Sequence, residues 1–270
     1  MHTSVLDRLV RPLQLLWLYF RIGALNELQY RANLVVQLFE SGIALFTGLA
    51  VLSLVFGQTN QLNGWTHSEL LAVMGIHILM GGLIYMTIRP NMQRLMEDVQ
   101  KGTFDYVLVK PEDSQVMVSV REVRIWSAVD VIVGTVVVAV AIGQLGVSLG
   151  LPQALGLAVA LLIGGALIYC FWLILTTMVF WVVRMDQITE LFDGVYQSGR
   201  WPVTVYPGWL RISLTFLVPI AFAVTVPAEA LTGRLTIDVL ALAAGFGIVA
   251  LLVTRWFWRY GLRRYSGASS

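Results

Sequence analysis

The sequence predicts an all-α membrane protein with six transmembrane helices, and three observations carry that prediction. Hydrophobic residues fill 57% of the 270 positions and charged residues only 13%, where soluble domains carry roughly 25% charge. The apolar residues gather in runs at 33–56, 70–88, 126–145, 154–183, 212–228 and 237–258, most of them near the ~20 residues that cross a hydrocarbon core as helix. Basic residues are unevenly placed: of 18, four precede residue 33, six lie between 89 and 125, four follow 254, and none falls in 57–69 or 146–153. By the positive-inside rule both termini and the 89–125 segment are cytoplasmic, which fits an even number of crossings. No internal repeat or low-complexity linker divides the chain, so residues 1–270 are read as a single membrane domain.

Residues 1–32 come first. Leu6, Leu9, Val10, Leu13, Leu16, Trp17 and Phe20 recur at helical spacing, opposite Asp7, Arg8, Arg11, Gln14 and Arg21, which makes an amphipathic helix. Two placements stand open for it: on the inner membrane surface with its arginines at the headgroups, or packed on the chain's own spans. The apolar part is not followed by a small-residue cleavage site, so no cleavable leader is expected.

Spans one and two occupy 33–88. Glu40 lies about two turns into the first and His77 within the second. An ionisable group in a span is costly and commonly functional. Glu40 is therefore a candidate for a transport path, against a structural ion pair or a subunit contact. For His77 an interhelical hydrogen bond is expected.

The segment 89–125 is the longest cytoplasmic connection. In RPNMQRLMEDVQKG, Pro90 suits a first helical turn, Met92, Leu95, Met96 and Val99 make an apolar stripe, and Gly102 is a natural stop. Arg94, Glu97, Asp98 and Lys101 take the remaining face. Such a helix either enters a groove on a soluble partner, with Phe104 and Tyr106 as aromatic anchors, or lies on the bilayer.

Spans three and four fill 126–183, with Asp130 near the inner end of the third and the lone Cys170 in the fourth. A single cysteine excludes an internal disulfide and a Cys-rich metal site. The region 184–236 departs from the regular pattern. Asp186, Glu190, Asp193, Gln197 and Arg200 are spaced by 4, 3, 4 and 3 residues, one stripe of a helix, and residues 202–227 hold four of the eight prolines. Two topologies compete: either 212–228 is the fifth crossing, or 187–206 crosses and 208–230 forms a re-entrant hairpin. Broken backbone at membrane depth requires cover by protein or a water-lined cavity. Residues 237–258 form the sixth span and 259–270 a cytoplasmic tail.

Familiar catalytic chemistry is missing. The only lysines, Lys101 and Lys110, follow Gln and Val, so no phosphate-cradling Gly-Lys pair exists. The histidines His2, His67 and His77 show no metal-ligand spacing, and no G-x-S-x-G nucleophile elbow is expected. No catalytic residue, metal, cofactor or nucleic-acid partner is expected.

The insert KGTFDYVLVKP, with Gly102, Asp105 and Pro111, and the Pro-rich stretch YPGWLRISLTFLVPIAFAVTVPAEALTG resemble the permease subunit of ABC-2 type transporters. The chain is most similar to a branch of six-span bacterial permeases that includes drug and viologen exporters. The resemblance covers nearly the whole chain. It implies a multi-pass protein of the bacterial inner membrane that pairs with a second permease chain, identical or related. It also implies two copies of a separate ATP-hydrolysing subunit as partners, and membrane lipid around the spans. In such permeases the insert is a coupling helix, carried over to residues 91–105, with Met92, Leu95, Met96, Val99, Gly102, Phe104, Asp105 and Tyr106 as the residues of that contact. Replacing Leu95 and Phe104 with Asp is then expected to abolish copurification with the ATPase. The amphipathic start corresponds to an interface helix, and 208–230 to a re-entrant hairpin on the outer side. The polar 184–200 segment departs from the family's fifth span. Glu40, Asp186, Glu190, Asp193 and Arg200 are candidates for the path or the dimer seam. The expected function is ATP-driven export of a small amphiphilic or drug-like molecule; the alternative is a secondary transporter driven by an ion gradient, which would need more ionisable groups at midplane and matched broken helices.

Overall fold

The computed structural model describes residues 17, 18, 21–23, 25, 31–146, 150–182 and 187–265. Most of the predicted amphipathic start lies outside these residues, as do Asp186 and the last five positions. Residues 17, 18, 21–23 and 25 are helical, with Trp17 exposed. Among the described residues all regular structure is helical apart from one isolated bridge between Leu62 and Trp65.

The helices run in order as α1 (Arg31–Phe56), α2 (His67–Leu83), α3 (Arg89–Gln100), α4 (Asp105–Leu108), α5 (Ser114–Val120), α6 (Ala128–Leu145), α7 (Leu151–Thr177), α8 (Gln187–Tyr196), α9 (Gly208–Ile212), α10 (Val226–Leu231) and α11 (Ile237–Arg264). Five helical stretches are long and apolar enough to cross a bilayer, or six if a bent pair is counted as one. This is a multi-pass membrane protein.

One of the five corrects the sequence reading. The second apolar run does not end at residue 88. A π-helical turn at Ile84–Ile88 joins α2 to α3, and His67–Gln100 is one helix of 34 residues, about 50 Å long at 1.5 Å per residue. It outruns a ~30 Å hydrocarbon core, so the segment expected as a separate surface helix is the far end of a span. Pro90 falls in the first turn of α3, where it forfeits little hydrogen bonding. Gly102, at φ +68°, turns the chain out of the helix in the left-handed region that glycine tolerates.

The tightest packing is between α2 and α6. A Cβ on Gly134 would collide with the Leu79 backbone nitrogen, and one on Gly82 would sit 2.7 Å from that of Val131. Small residues let two helix backbones touch in a medium that supplies no hydrophobic drive between them. The helix α7 packs against α11 on one side and against the 221–231 region on the other, where Gly164 meets the Phe222 carbonyl.

The run 212–228 is not a straight helix. The pieces Gly208–Leu217 and Ala221–Leu231 meet at 80° across Val218 to Ile220. Pro219 at the break has no N–H to continue the ladder, and Pro207 and Pro227 sit just before α9 and in the first turn of α10, where proline is tolerated.

By contrast α1 is barely covered: only 11% of its most apolar window is buried. Phe39, Ile43 and Phe46 are all exposed on its outward face.

Candidate functional site

Between the loosely held α1 and the body lies a cleft built from two adjoining chambers. The first, about 330 Å³, is walled by Gly48, Leu52, Met74 and Ile78, with His77, Tyr196, Gln197, Arg200 and Trp201 at one end and Tyr85 and Asp130 at the other. The second, about 680 Å³, continues past Asp130 to Glu40, Arg89, Arg124 and Trp126. Ala44, Tyr85, Asp130 and Gln197 line both.

The α1 helix is fastened to this cleft by one carboxylate. The Asp130 oxygens accept from the Gln37 amide at 2.8 Å and from the Ser41 hydroxyl. Asp130, near the inner end of the third apolar run, is thus the clip between α6 and α1. Glu40, one residue from Ser41, is exposed at the rim of the larger chamber and has no ion-pair partner among the described residues.

The described stripe from Asp193 to Arg200 lies along the continuous α2–α3 helix, with Gln197 and Arg200 in the lining of the cleft. The Asp193 carboxylate accepts from the Arg89 guanidinium at 2.7 Å and from the Tyr85 hydroxyl at 2.8 Å. One turn on, the Tyr196 hydroxyl donates to the His77 carbonyl at 2.8 Å and its ring stacks on the imidazole at 4.5 Å. A Cβ on Gly199 would meet His77 Nδ1 at 3.2 Å. Farther along, Thr204 accepts from Trp65 Nε1 at 3.0 Å through its hydroxyl and from the Asn63 amide through its carbonyl. Residues 187–206 therefore run antiparallel to α2 from Arg89 to the Trp65 end. Glu190 is exposed, Gln197 and Arg200 line the smaller chamber, and Arg200 has no ion-pair partner among the described residues.

Two sequence expectations are corrected by these contacts. The Nδ1 of His77 does not make the expected interhelical hydrogen bond: among the described residues it is buried without a partner, because Tyr196 takes the backbone carbonyl and presents a ring face. The apolar stripe of α3 is not open to a partner either. Met92 and Leu95 are 0% and 1% exposed, Met96 is buried, and Phe104 is 0% exposed. Phe104 stands in an aromatic cluster with Phe180, Trp258 and Tyr265, so the ends of α7 and α11 occupy the groove that a partner was expected to supply. Val99 is half-buried, Asp105 accepts from the Tyr265 hydroxyl, and Tyr106 alone of the eight residues is largely exposed, at 73%.

Sequence reading also missed the knot that holds this end together. Asp98, placed on the charged face, is buried and binds Arg121 at 2.6 Å, Arg94 at 3.3 Å and the Thr103 hydroxyl at 3.0 Å. Asn91 spans α3 and the 122 loop, donating to the Glu122 carbonyl at 2.8 Å and accepting from its N–H at 2.9 Å. Asp113 caps α5 and binds Arg255 of α11. The hydrogen bonds from Arg255, above all, hold its carboxyl below the ordinary 3.8, with burial acting the other way. A carboxylate four residues after an arginine, as in Arg94–Asp98, was the only local signal.

At the opposite end Glu69 does two jobs. It completes the capping box of α2 with Thr66 and grips Arg234, whose guanidinium also donates to the Gly64 carbonyl at 2.7 Å and lies 4.6 Å over the Trp65 ring.

The arrangement is a largely apolar cleft with polar stations at Asp130, His77 and Arg200. No group of three metal-ligating side chains occurs among the described residues. One overlooked pattern is GVSLG, residues 146–150, which has the spacing of a nucleophile elbow. It joins α6 to α7, two helices, where such an elbow needs a strand entering a helix, and Ser148 lies outside the described residues.

The family described as ABC-2 family transporter protein matches residues 43–269. The chain belongs to that family. Curated proteins and solved structures give no match. As an ABC-2 permease it is the membrane component of a transporter, a class that normally works with ATP-binding partners.

Proposed function

We infer that this permease is the membrane subunit of an ATP-driven exporter, which moves a small amphiphilic or drug-like molecule along the cleft under α1 while a separate subunit, in two copies, hydrolyses ATP. The observation that carries the reading is the continuity of α2 and α3. The same rigid helix lines the cleft with Met74, His77 and Tyr85 and then enters the knot around Asp98. A push on that knot moves a wall of the passage without an intervening hinge loop.

The basic end, with Arg121, Arg124, Arg255 and the end of α11, is the cytoplasmic one, in a bacterial inner membrane. Residues 187–206 are then the fifth crossing, since their contacts follow α2 from end to end, and 208–231 is a re-entrant hairpin on the outer side. A second permease chain, identical or related, covers α1, with Glu40 at the seam. The partner meets the tip of the knot. Tyr106, Leu108 and Val109 are exposed there beside Lys101 and Lys110, an apolar patch with a basic rim.

The test is coexpression with the P-loop ATPase of the same transport system. Asp substitution at Leu95 or Phe104 would put a charge in the core, so the contact is probed instead with Tyr106→Asp and Val109→Asp. The pair is expected to abolish copurification while the permease still inserts and melts normally. Unchanged copurification removes this surface from the interface, and solute movement on an ion gradient without nucleotide overturns the whole reading.

A further inference from the structure

The cleft has a chemical polarity that bears on what it carries, and the argument rests on its being the transport path. Its two ends differ. Near the cytoplasmic third the Asp130 carboxylate is already engaged by Gln37 and Ser41, and Glu40 stands outside at the rim. In the smaller chamber the reverse holds: the Arg200 guanidinium has no ion-pair partner among the described residues, Gln197 lies beside it in the lining, and buried His77 keeps an unpartnered Nδ1. Asp130 packs at Gly82 and Gly199 at His77, so the two stations are separated by five residues of α2, about 7.5 Å. Asp130 thus serves the α1 clip at its own level. Arg200 is exposed at the chamber and has no counter-ion of its own among the described residues, so an arriving anion meets a guanidinium that gives up no existing ion pair. A guanidinium with an adjacent amide is the donor set that carboxylate, phosphate and sulfate oxygens accept from, and neutral imidazole adds a donor or acceptor according to tautomer.

We propose that the smaller chamber binds the anionic head group of a single-chain amphiphile at Arg200, with its apolar chain lying against Leu52, Leu70 and Met74. The volume of about 330 Å³ suits a head group and the first part of a chain, and the scant cover of α1 leaves the cleft open towards the bilayer for the remainder. Specificity then comes from charge sign at one position, with the apolar walls tolerant of chain identity.

The test uses the full-length permease in a neutral maltoside, without nucleotide, so that its outcome is independent of the ATPase reading. Three brominated probes of equal chain length are titrated: 11-bromoundecanoate, 11-bromoundecyl-trimethylammonium and 11-bromoundecanol. Quenching of tryptophan emission reports binding, and the loss of that quenching in Trp201→Phe locates it. The acid is expected to bind at least about tenfold more tightly than the cation, the yield of one charge-assisted contact. Arg200→Gln should erase the preference and Arg200→Lys should keep part of it. Equal affinities, tighter binding of the cation, or an unchanged preference in Arg200→Gln overturns the proposal. If Arg200→Gln fails to fold, the sign preference of the native protein decides alone. Repetition in nanodiscs separates the two sources of such a head group. Undiminished binding of the acid in phosphatidylglycerol supports a transported amphiphile, whereas its loss there, but not in phosphatidylcholine, assigns the site to bilayer lipid and overturns the substrate part. If the acid binds as expected but ATP drives no transport of it, the head-group site stands and the path reading falls.

Discussion

The Arg89 guanidinium and the Asp193 carboxylate meet at 2.7 Å, and each is mostly covered, with side-chain exposures of 19% and 29%. They are the electrostatic joint between the long α2–α3 helix and the polar α8, and Tyr85 completes the joint from one turn away. Arg89 Nε is already without a partner, so the pair has no second acceptor in reserve. Asp193→Ala is expected to cost about 3 kcal/mol, the low end for orphaning one member of a buried pair, read as a drop in melting temperature in detergent. The double variant Arg89→Met with Asp193→Leu should recover most of it. An equal loss in both would mean the pair contributes through packing alone.

Phe104 and Tyr106 lie two residues apart and should behave oppositely. Phe104 is fully buried among Phe180, Trp258 and Tyr265, so Phe104→Ala should destabilise the permease by about 3–5 kcal/mol. Tyr106→Ala should change stability by less than about 0.5 kcal/mol, as surface substitutions do, while weakening the ATPase contact. Comparable melting temperatures for the two variants would contradict the burial that separates them.

How legible the fold was in the sequence depends on the element. Four of the apolar helices, α1, α6, α7 and α11, were bounded to within about six residues by apolar run length, because lipid imposes one composition on every turn. The run before Pro90 was seen too, but not its continuation, since nothing in hydropathy marks a π-helical turn. The α3 stripe illustrates a subtler limit. Periodicity at Met92, Leu95, Met96 and Val99 correctly signalled a buried face, yet a pattern of burial does not say against what, and here the cover comes from α5 and α7 of the same chain. Within the site, the 186–200 stripe and Glu40 were legible as polar residues out of place. Their counterparts were not: Arg89 and Asp193 are 104 positions apart, and Arg200 and His77 become neighbours only when 187–206 lies along α2.

The path of 187–206 can be checked by labelling. Cys170 is the lone cysteine and buried, so Cys170→Ala gives a clean background. Thr204→Cys, at the Trp65 end, should react with a membrane-impermeant maleimide in intact cells. Glu190→Cys, exposed at the other end, should react only after permeabilisation. Were 212–228 the fifth crossing instead, both positions would be protected until the membrane was opened.

The Asp113–Arg255 clasp between the α5 cap and α11 makes the remaining prediction, and its sign follows from the direction of the shift. The Asp113 carboxyl titrates below the ordinary 3.8 chiefly because Arg255 donates to it. A carboxylate lowered in the folded state contributes stability that is complete above its unfolded value and is lost as pH falls through the folded one. The clasp should therefore be indifferent to pH from 8 down to 5 and loosen only below 3.8. Both partners are about a third or more exposed, at 40% and 34%, which limits the ion pair to less than about 1 kcal/mol; Asp113→Ala should lose about 1 kcal/mol more with the helix cap. The measurement is the melting-temperature difference between native protein and Asp113→Asn as a function of pH. It should be flat across the neutral range and shrink towards zero in acid, whereas a difference that already closes between pH 7 and 5 would show that Arg255 does not hold this carboxylate.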